Sequence, residues 1–137
     1  MTKLFVDTNI VLDLLAKRER FYKSSQELFT LASHNELHLV VSTLTFANTH
    51  YILKEQLKLN KVRSVLRKFK TLVEVASFDD KVLELALEEE FVDFEDGIQY
   101  NTALLNSCEA IITRNKRDFK KSKIPVFSAE EFLHIIQ

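Results

Sequence analysis

Lys3-Leu4-Phe5-Val6-Asp7-Thr8-Asn9 is the stretch on which the reading of this chain turns. A short apolar run leads straight into a carboxylate, a hydroxyl and an amide, and helical spacing follows at Ile10, Val11, Leu14 and Leu15. A strand buried on both faces reads as a continuous hydrophobic run, so Leu4-Phe5-Val6 suits the middle of a parallel sheet. Asp7 then falls at the carboxyl end of that strand, where open α/β sheets collect their ligands. The plainer role for Asp7 is to cap the next helix, because Asp, Thr and Asn accept hydrogen bonds from free helix N–H groups.

Outward from this stretch the pattern alternates. A helix with Tyr22, Leu28, Phe29 and Ala32 on its inner stripe precedes a strand at Leu37–Val41. Ser42 or Thr43 caps the next helix, which carries Leu44, Ala47 and Tyr51. Lys61–Lys70 predicts a helix with Val62, Val65, Leu66 and Phe69 inward, and Leu72–Ala76 a third strand. Asp79–Glu90 predicts an amphipathic helix with Val82, Leu83, Ala86 and Leu87 on one side. Helix returns over Phe94–Asn106, strands over Ala110–Thr113 and Pro125–Phe127, and a last helix starts at Ala129. Strands alternating with helices imply a mainly parallel sheet covered on both sides. With one glycine and one proline there are few places for hairpins, which argues against an all-β fold. No linker or repeat interrupts the pattern, so the expectation is one domain over residues 1–137.

Composition excludes several functions. At 46% hydrophobic and 28% charged residues the chain is ordinary for a globular protein, and 137 residues can bury a real core. The formal net charge is −1, so a nucleic-acid partner must be held by a local patch. Cys108 is the sole cysteine, which removes a disulfide framework and a thiolate metal cluster and leaves it a small core residue. Gly97, the sole glycine, removes phosphate loops and dinucleotide fingerprints. His34, His38, His50 and His134 lack the spacing of a metal site, and the eleven Phe are scattered at core spacings. The N-terminal residues show no signal-peptide pattern and no apolar run reaches membrane length, so the expected location is the cytoplasm.

Charge is unevenly spread. Arg114–Lys123 holds six basic residues against Asp118, and Lys54–Lys70 holds seven against Glu55, while Asp79–Asp96 is almost wholly acidic. A lysine-rich helix is usually a solvated face, but Arg114–Lys123 directly follows a strand end. Basic residues beside an acidic pocket suit a nuclease: cations hold the phosphate backbone and carboxylates hold metal. Asp93-Phe94-Glu95-Asp96 opens a helix, where Asp93 and Asp96 read either as caps or as ligands. Ala110-Ile111-Ile112-Thr113-Arg114-Asn115 repeats the design of the first strand, with Asp118 shortly after. If the two strands are neighbours, Asp7, Asp96 and Asn115 or Asp118 converge. Crowded carboxylates raise one another's pKa unless a cation compensates them. Oxygen donors without cysteine or a histidine pair favour Mg²⁺ or Mn²⁺ over zinc.

Val6-Asp7-Thr8-Asn9, Asp93-x-Glu95-Asp96 and Ile112-Thr113-Arg114-Asn115-x-x-Asp118-Phe119 together resemble the PIN-domain family, most closely the small bacterial VapC-type toxin nucleases. The closing Ile124-Pro125-Val126-Phe127-Ser128-x-Glu130-Glu131-Phe132-Leu133 is similar to that family's last strand and helix, so the resemblance spans the chain. It implies a three-layer α/β/α sandwich around a central, mainly parallel five-stranded sheet with the first and fourth strands adjoining. It further implies a Mg²⁺- or Mn²⁺-dependent endoribonuclease, the toxin of a type II toxin–antitoxin pair, with RNA as substrate, a cognate antitoxin covering the acidic pocket, and a homodimer. Carried over residue by residue, Asp7 and Asp96 are metal ligands, and Asn115 with Asp118 ligate or position water. Thr8, Asn9, Asp93, Glu95 and Thr113 support them, and Arg114, Lys116 and Arg117 grip phosphates. One departure stands out. In Ser42-Thr43-Leu44-Thr45-Phe46-Ala47-Asn48, Asn48 occupies the position where the family usually has Glu. A neutral amide cannot offset a cation's charge, so metal affinity is expected to fall. The competing class is a PIN-like module that binds RNA or protein without cutting. A receiver-like phosphotransfer domain is weaker, since its acidic pair and its later lysine are not convincingly placed.

Overall fold

The computed structural model describes residues 2–88 and 93–137. Five strands, β1 (Lys3–Val6), β2 (His38–Ser42), β3 (Glu74–Ala76), β4 (Ala110–Ile112) and β5 (Val126–Phe127), form one sheet in the order β3-β2-β1-β4-β5. Every pairing is parallel, with Phe5 opposite Val40 on one side and Ile111 on the other. The helices are α1 (Thr8–Leu15), α2 (Tyr22–Ser33), α3 (Thr43–Tyr51), α4 (Val62–Lys70), α5 (Asp80–Glu88), α6 (Phe94–Leu105) and α7 (Ala129–Ile136). Glu89 and Glu90, expected to end the fifth helix, lie outside the described residues.

The central strand shows why an unbroken apolar run was needed. Leu4, Phe5 and Val6 are fully buried, and their side chains alternate across the sheet. Leu4 and Val6 join Val11, Leu28, Phe29 and Phe132 of α1, α2 and α7; Phe5 joins Tyr100, Ala103 and Phe119 on the α6 side. The sheet therefore lies between two helical layers, the α/β/α sandwich that was expected. Burying a side chain of this size contributes roughly 1.5–3 kcal/mol, so this run anchors the sheet's centre together with the equally buried Leu39–Val41 and Ile111–Ile112 beside it.

Caps set where the helices start. Ser42 Oγ accepts from Thr45 N (3.1 Å), and Ser128 with Glu131 forms a reciprocal capping box on α7. Three expected inner stripes shift. On α3 the buried side chains are Thr45 and Thr49, whereas Ala47 and Tyr51 are exposed. Thr45 turns to Thr8, Ser42 and Gln99, while Leu44, Asn48 and Tyr51 line a cavity beside the helix. On α4 Val62 and Phe69 are buried and Val65 is exposed; on α5 Val82 and Ala86 are buried and Leu87 is exposed. A helix lying against one neighbour buries a narrower stripe than its apolar residues span. Among the described residues no helix is long and apolar enough to cross a membrane.

Candidate active site

Parallel strands all end on one side, and β1 and β4 are where the strand order reverses. Asp7 N extends their ladder by donating to Ile112 O (3.0 Å), which brings the Asp7 carboxylate beside the end of β4. Asp7 caps α1 through Thr8 N (2.9 Å to Oδ1). Its other oxygen, Oδ2, accepts from Thr113 Oγ1 at 2.8 Å. Asn9 Nδ2 donates to Thr113 Oγ1 (3.2 Å), and Asn9 Oδ1 accepts from Arg114 N (3.1 Å). Asp-Thr-Asn at one strand end and Thr-Arg-Asn at the next thus form one interlocked hydrogen-bond set.

Asp93 caps α6 by accepting from Glu95 N (2.7 Å) and Asp96 N (3.3 Å), which sets the first turn of that helix. Asp96 and Glu95 face the same cavity as Asp7, together with Asn48 of α3 and Asn115. Its volume is about 390 Å³. Among the described residues, neither Lys, Arg nor His lines it. Burial pushes the Asp7 carboxyl up, against hydrogen bonds from Thr113, Gln99 and Thr8, and the charge of Asp118 raises it further. Asp96 is lifted from 3.8 to about 7 by burial and then by the charges of Asp93, Asp7, Asp118 and Glu95. Asp118, exposed on the 3-10 turn Lys116–Phe119, is not part of the cavity wall but adds its charge to both carboxyls. The result is a negative hollow that no described basic side chain neutralises.

Gln99 is the residue that sequence reasoning missed. Nine-tenths or more buried, it donates from Nε2 to Asp7 Oδ1 (3.2 Å) and Thr45 Oγ1 (2.8 Å), while Ser42 Oγ donates to its Oε1 (2.6 Å). Its only sequence signal is its place three residues after Asp96, the same face of α6. Thr8 Oγ1 meets Thr45 Oγ1 at 2.8 Å, so α1, α3 and α6 are tied together behind the carboxylate. Asn48 Nδ2 donates to Glu95 Oε1 (3.3 Å). Where the α3 side chain is neutral, a carboxylate from α6 thus stands beside it.

The expected phosphate-gripping residues are placed differently from one another. Arg114 makes a two-pronged pair with the fully buried Asp13 (Nε–Oδ2 2.8 Å, Nη2–Oδ1 3.1 Å) and lies 4.0 Å over the Phe21 ring. Burial raises the Asp13 carboxyl, and the Arg114 hydrogen bonds oppose that rise. Lys116 Nζ pairs with Glu131 Oε2 at 2.9 Å, holding the Glu131 carboxyl below its usual range. Arg117 is exposed and makes no ion pair among the described residues.

The donor set suits a hard dication. Every side-chain atom on the described cavity wall that is free to ligate is an oxygen, and the crowded acids gain from a positive charge between them. Among the described residues, no three His, Cys, Asp or Glu side chains are grouped to cage an ion unaided. Mg²⁺-type ions fit that arrangement, because they keep several waters and use one or two carboxylates plus substrate phosphates.

A mainly parallel α/β/α sandwich with paired acids at its switch point defines the class of the protein. The chain belongs to the PIN domain family, whose pattern matches residues 3–117. It is similar to "Ribonuclease VapC1" of Aquifex aeolicus (strain VF5), 28% identical over 135 residues that cover 95% of this chain and 92% of that one. In fold it is similar to DNA-bound VapBC from Salmonella typhimurium (TM-score 0.68, 22% identity, 94% of this chain and 99% of that one). It is also similar in fold to Mycobacterium tuberculosis VapC20, a sarcin-ricin loop cleaving toxin (TM-score 0.63, 15% identity, 79% and 86% covered).

Proposed function

We propose that this chain is a metal-dependent endoribonuclease that hydrolyses RNA phosphodiester bonds as the toxin of a toxin–antitoxin pair. The observation that carries this reading is that Asp7 and Asp96, from different elements, share one cavity without a basic side chain among the described residues. Membership in the PIN family and likeness to a known ribonuclease support it. Asp7 and Asp96 would hold Mg²⁺ or Mn²⁺, with Asn115 and Asp118 ligating or positioning water. When bound, such an ion activates water and offsets charge developing on the phosphodiester. Thr113, Asn9, Thr8 and Gln99 aim the Asp7 oxygens and exclude other rotamers. Asn48 tethers Glu95, so that charge usually supplied from α3 is supplied from α6. Arg117 meets phosphate, and an antitoxin segment closes the cavity in the cell, where the chain works in the cytoplasm as a homodimer.

The test is cleavage of a defined single-stranded RNA with Mn²⁺ or Mg²⁺, against chelator and against Asp7→Asn and Asp96→Asn. Cleavage by the wild type alone supports the reading; equal cleavage by either variant refutes it. The alternative, a module that binds RNA or protein without cutting, is favoured by the neutral Asn48. Retained RNA binding with no metal-dependent product identifies it.

A further inference from the structure

We propose that Tyr51 stacks a nucleobase of a single-stranded RNA whose phosphates run on across the basic surface of Lys54–Lys70. This deepens the ribonuclease reading and rests on it. Tyr51 ends α3 and is 58% exposed, although it lines the same cavity as Asp7 and Asp96. It makes no side-chain hydrogen bond or ring contact among the described residues. Leu12, Leu44 and Ile52 line the cavity with it, so the wall offers apolar side chains as well as acids. That combination matches a nucleotide, whose base is an apolar face and whose phosphate is an anion that a dication can hold. A volume of about 390 Å³ lies in the range of small-ligand sites, roughly 300–1,000 Å³. That is room for one unstacked base with its sugar and phosphate, the form in which single-stranded RNA presents its bases.

The backbone also departs from regularity here. A π-helical turn, Ile52–Gln56, follows Tyr51, and both its first and last residues reach the cavity wall. Turns of this kind recur at functional sites. Beyond it, Lys54, Lys58, Lys61, Arg63, Arg67, Lys68 and Lys70 are all exposed, and none forms an ion pair among the described residues. Val62 and Leu66 seat α4 against Leu12 and Ile52, which are themselves cavity wall. The helix that carries most of these cations is therefore packed on the cavity's apolar wall. Arg114 and Lys116, in contrast, are already paired with Asp13 and Glu131. Unpaired cations beside an exposed aromatic ring are the composition of a single-strand path.

The test uses a fluorescent eight-nucleotide RNA and the full chain carrying Asp96→Asn, so that cleavage does not intervene. Adding Tyr51→Ala is expected to weaken binding roughly tenfold and Tyr51→Phe to restore it, since stacking is worth about 1–3 kcal/mol per base. Arg63→Gln with Arg67→Gln is expected to lower the salt dependence, by about 0.7 in log–log slope for each phosphate no longer neutralised. Unchanged affinity in Tyr51→Ala, or an unchanged slope, overturns the proposal. In the otherwise wild-type chain, Tyr51→Ala is expected to raise KM and keep kcat. Metal-dependent cleavage with KM unmoved overturns the stacking site while leaving the nuclease reading intact. A wild type that neither binds nor cuts RNA overturns both. Loss of a protein partner with RNA binding intact assigns the surface to that partner and overturns the proposal as well.

Discussion

Substituting Asn for Asp96 is the perturbation with the most definite sign. The Asp96 carboxyl is held at about 7 in the fold against an ordinary 3.8, by burial and by four neighbouring acids. A raised carboxyl favours its neutral form when folded. Its stabilising contribution is therefore complete below pH 4 and is lost as pH rises through 7. Fully retained, a shift of this size corresponds to about 4 kcal/mol. Asp96 is only half-buried, so solvent screening reduces the expected loss to about 1–2 kcal/mol. Without metal, the wild type should thus lose that much stability between pH 4 and pH 8, and Asp96→Asn should lose clearly less. Comparing the two pH slopes matters more than comparing the two stabilities, because Asn also forfeits a favourable charge in the first turn of α6, about 0.3–1 kcal/mol. Urea unfolding in chelator at the two pH values measures both. Manganese at pH 8 should then restabilise the wild type by mass action and the variant much less. If wild type and variant lose stability in parallel, the raised Asp96 carboxyl, assigned to burial and then to its acidic neighbours, is wrong.

Other changes test the surroundings of the carboxylates. Gln99→Ala should lower metal affinity or turnover roughly 10–100-fold with Asp7 intact, as removal of a ligand's hydrogen-bond partner does; titration calorimetry with Mn²⁺ checks it. Arg114→Gln leaves the buried Asp13 with only the longer 3.8 Å contact to Arg18, so unfolding should become easier by about 2–4 kcal/mol, with partial recovery when Asp13→Asn is added; no loss in the single variant would remove that pair from the stability account. Thr49 Oγ1 is buried without a hydrogen-bond partner among the described residues, so Thr49→Val should raise stability by about 1 kcal/mol, read as a higher melting temperature.

Much of the architecture was written in local pattern. The unbroken Leu4-Phe5-Val6 run announced a strand buried on both faces, and Ser42 and Asp93 announced helix starts, because burial period and capping chemistry act over a few residues. Inner stripes were less legible: Ala47 and Val65 fit the helical spacing, yet the width of each buried face is set by the neighbour that packs on it.

On its own, then, the sequence determined the alternation of strands and helices, the polar strand ends at Asp7 and Thr113, and the departure at Asn48. Tertiary structure alone decided the rest. It set β1 beside β4, joined Asp7 to Gln99, stood Glu95 against Asn48, and turned Arg114 inward to Asp13. Each of those pairs brings together residues far apart in the chain, and a side chain's choice among distant partners leaves no periodic trace in the residues around it.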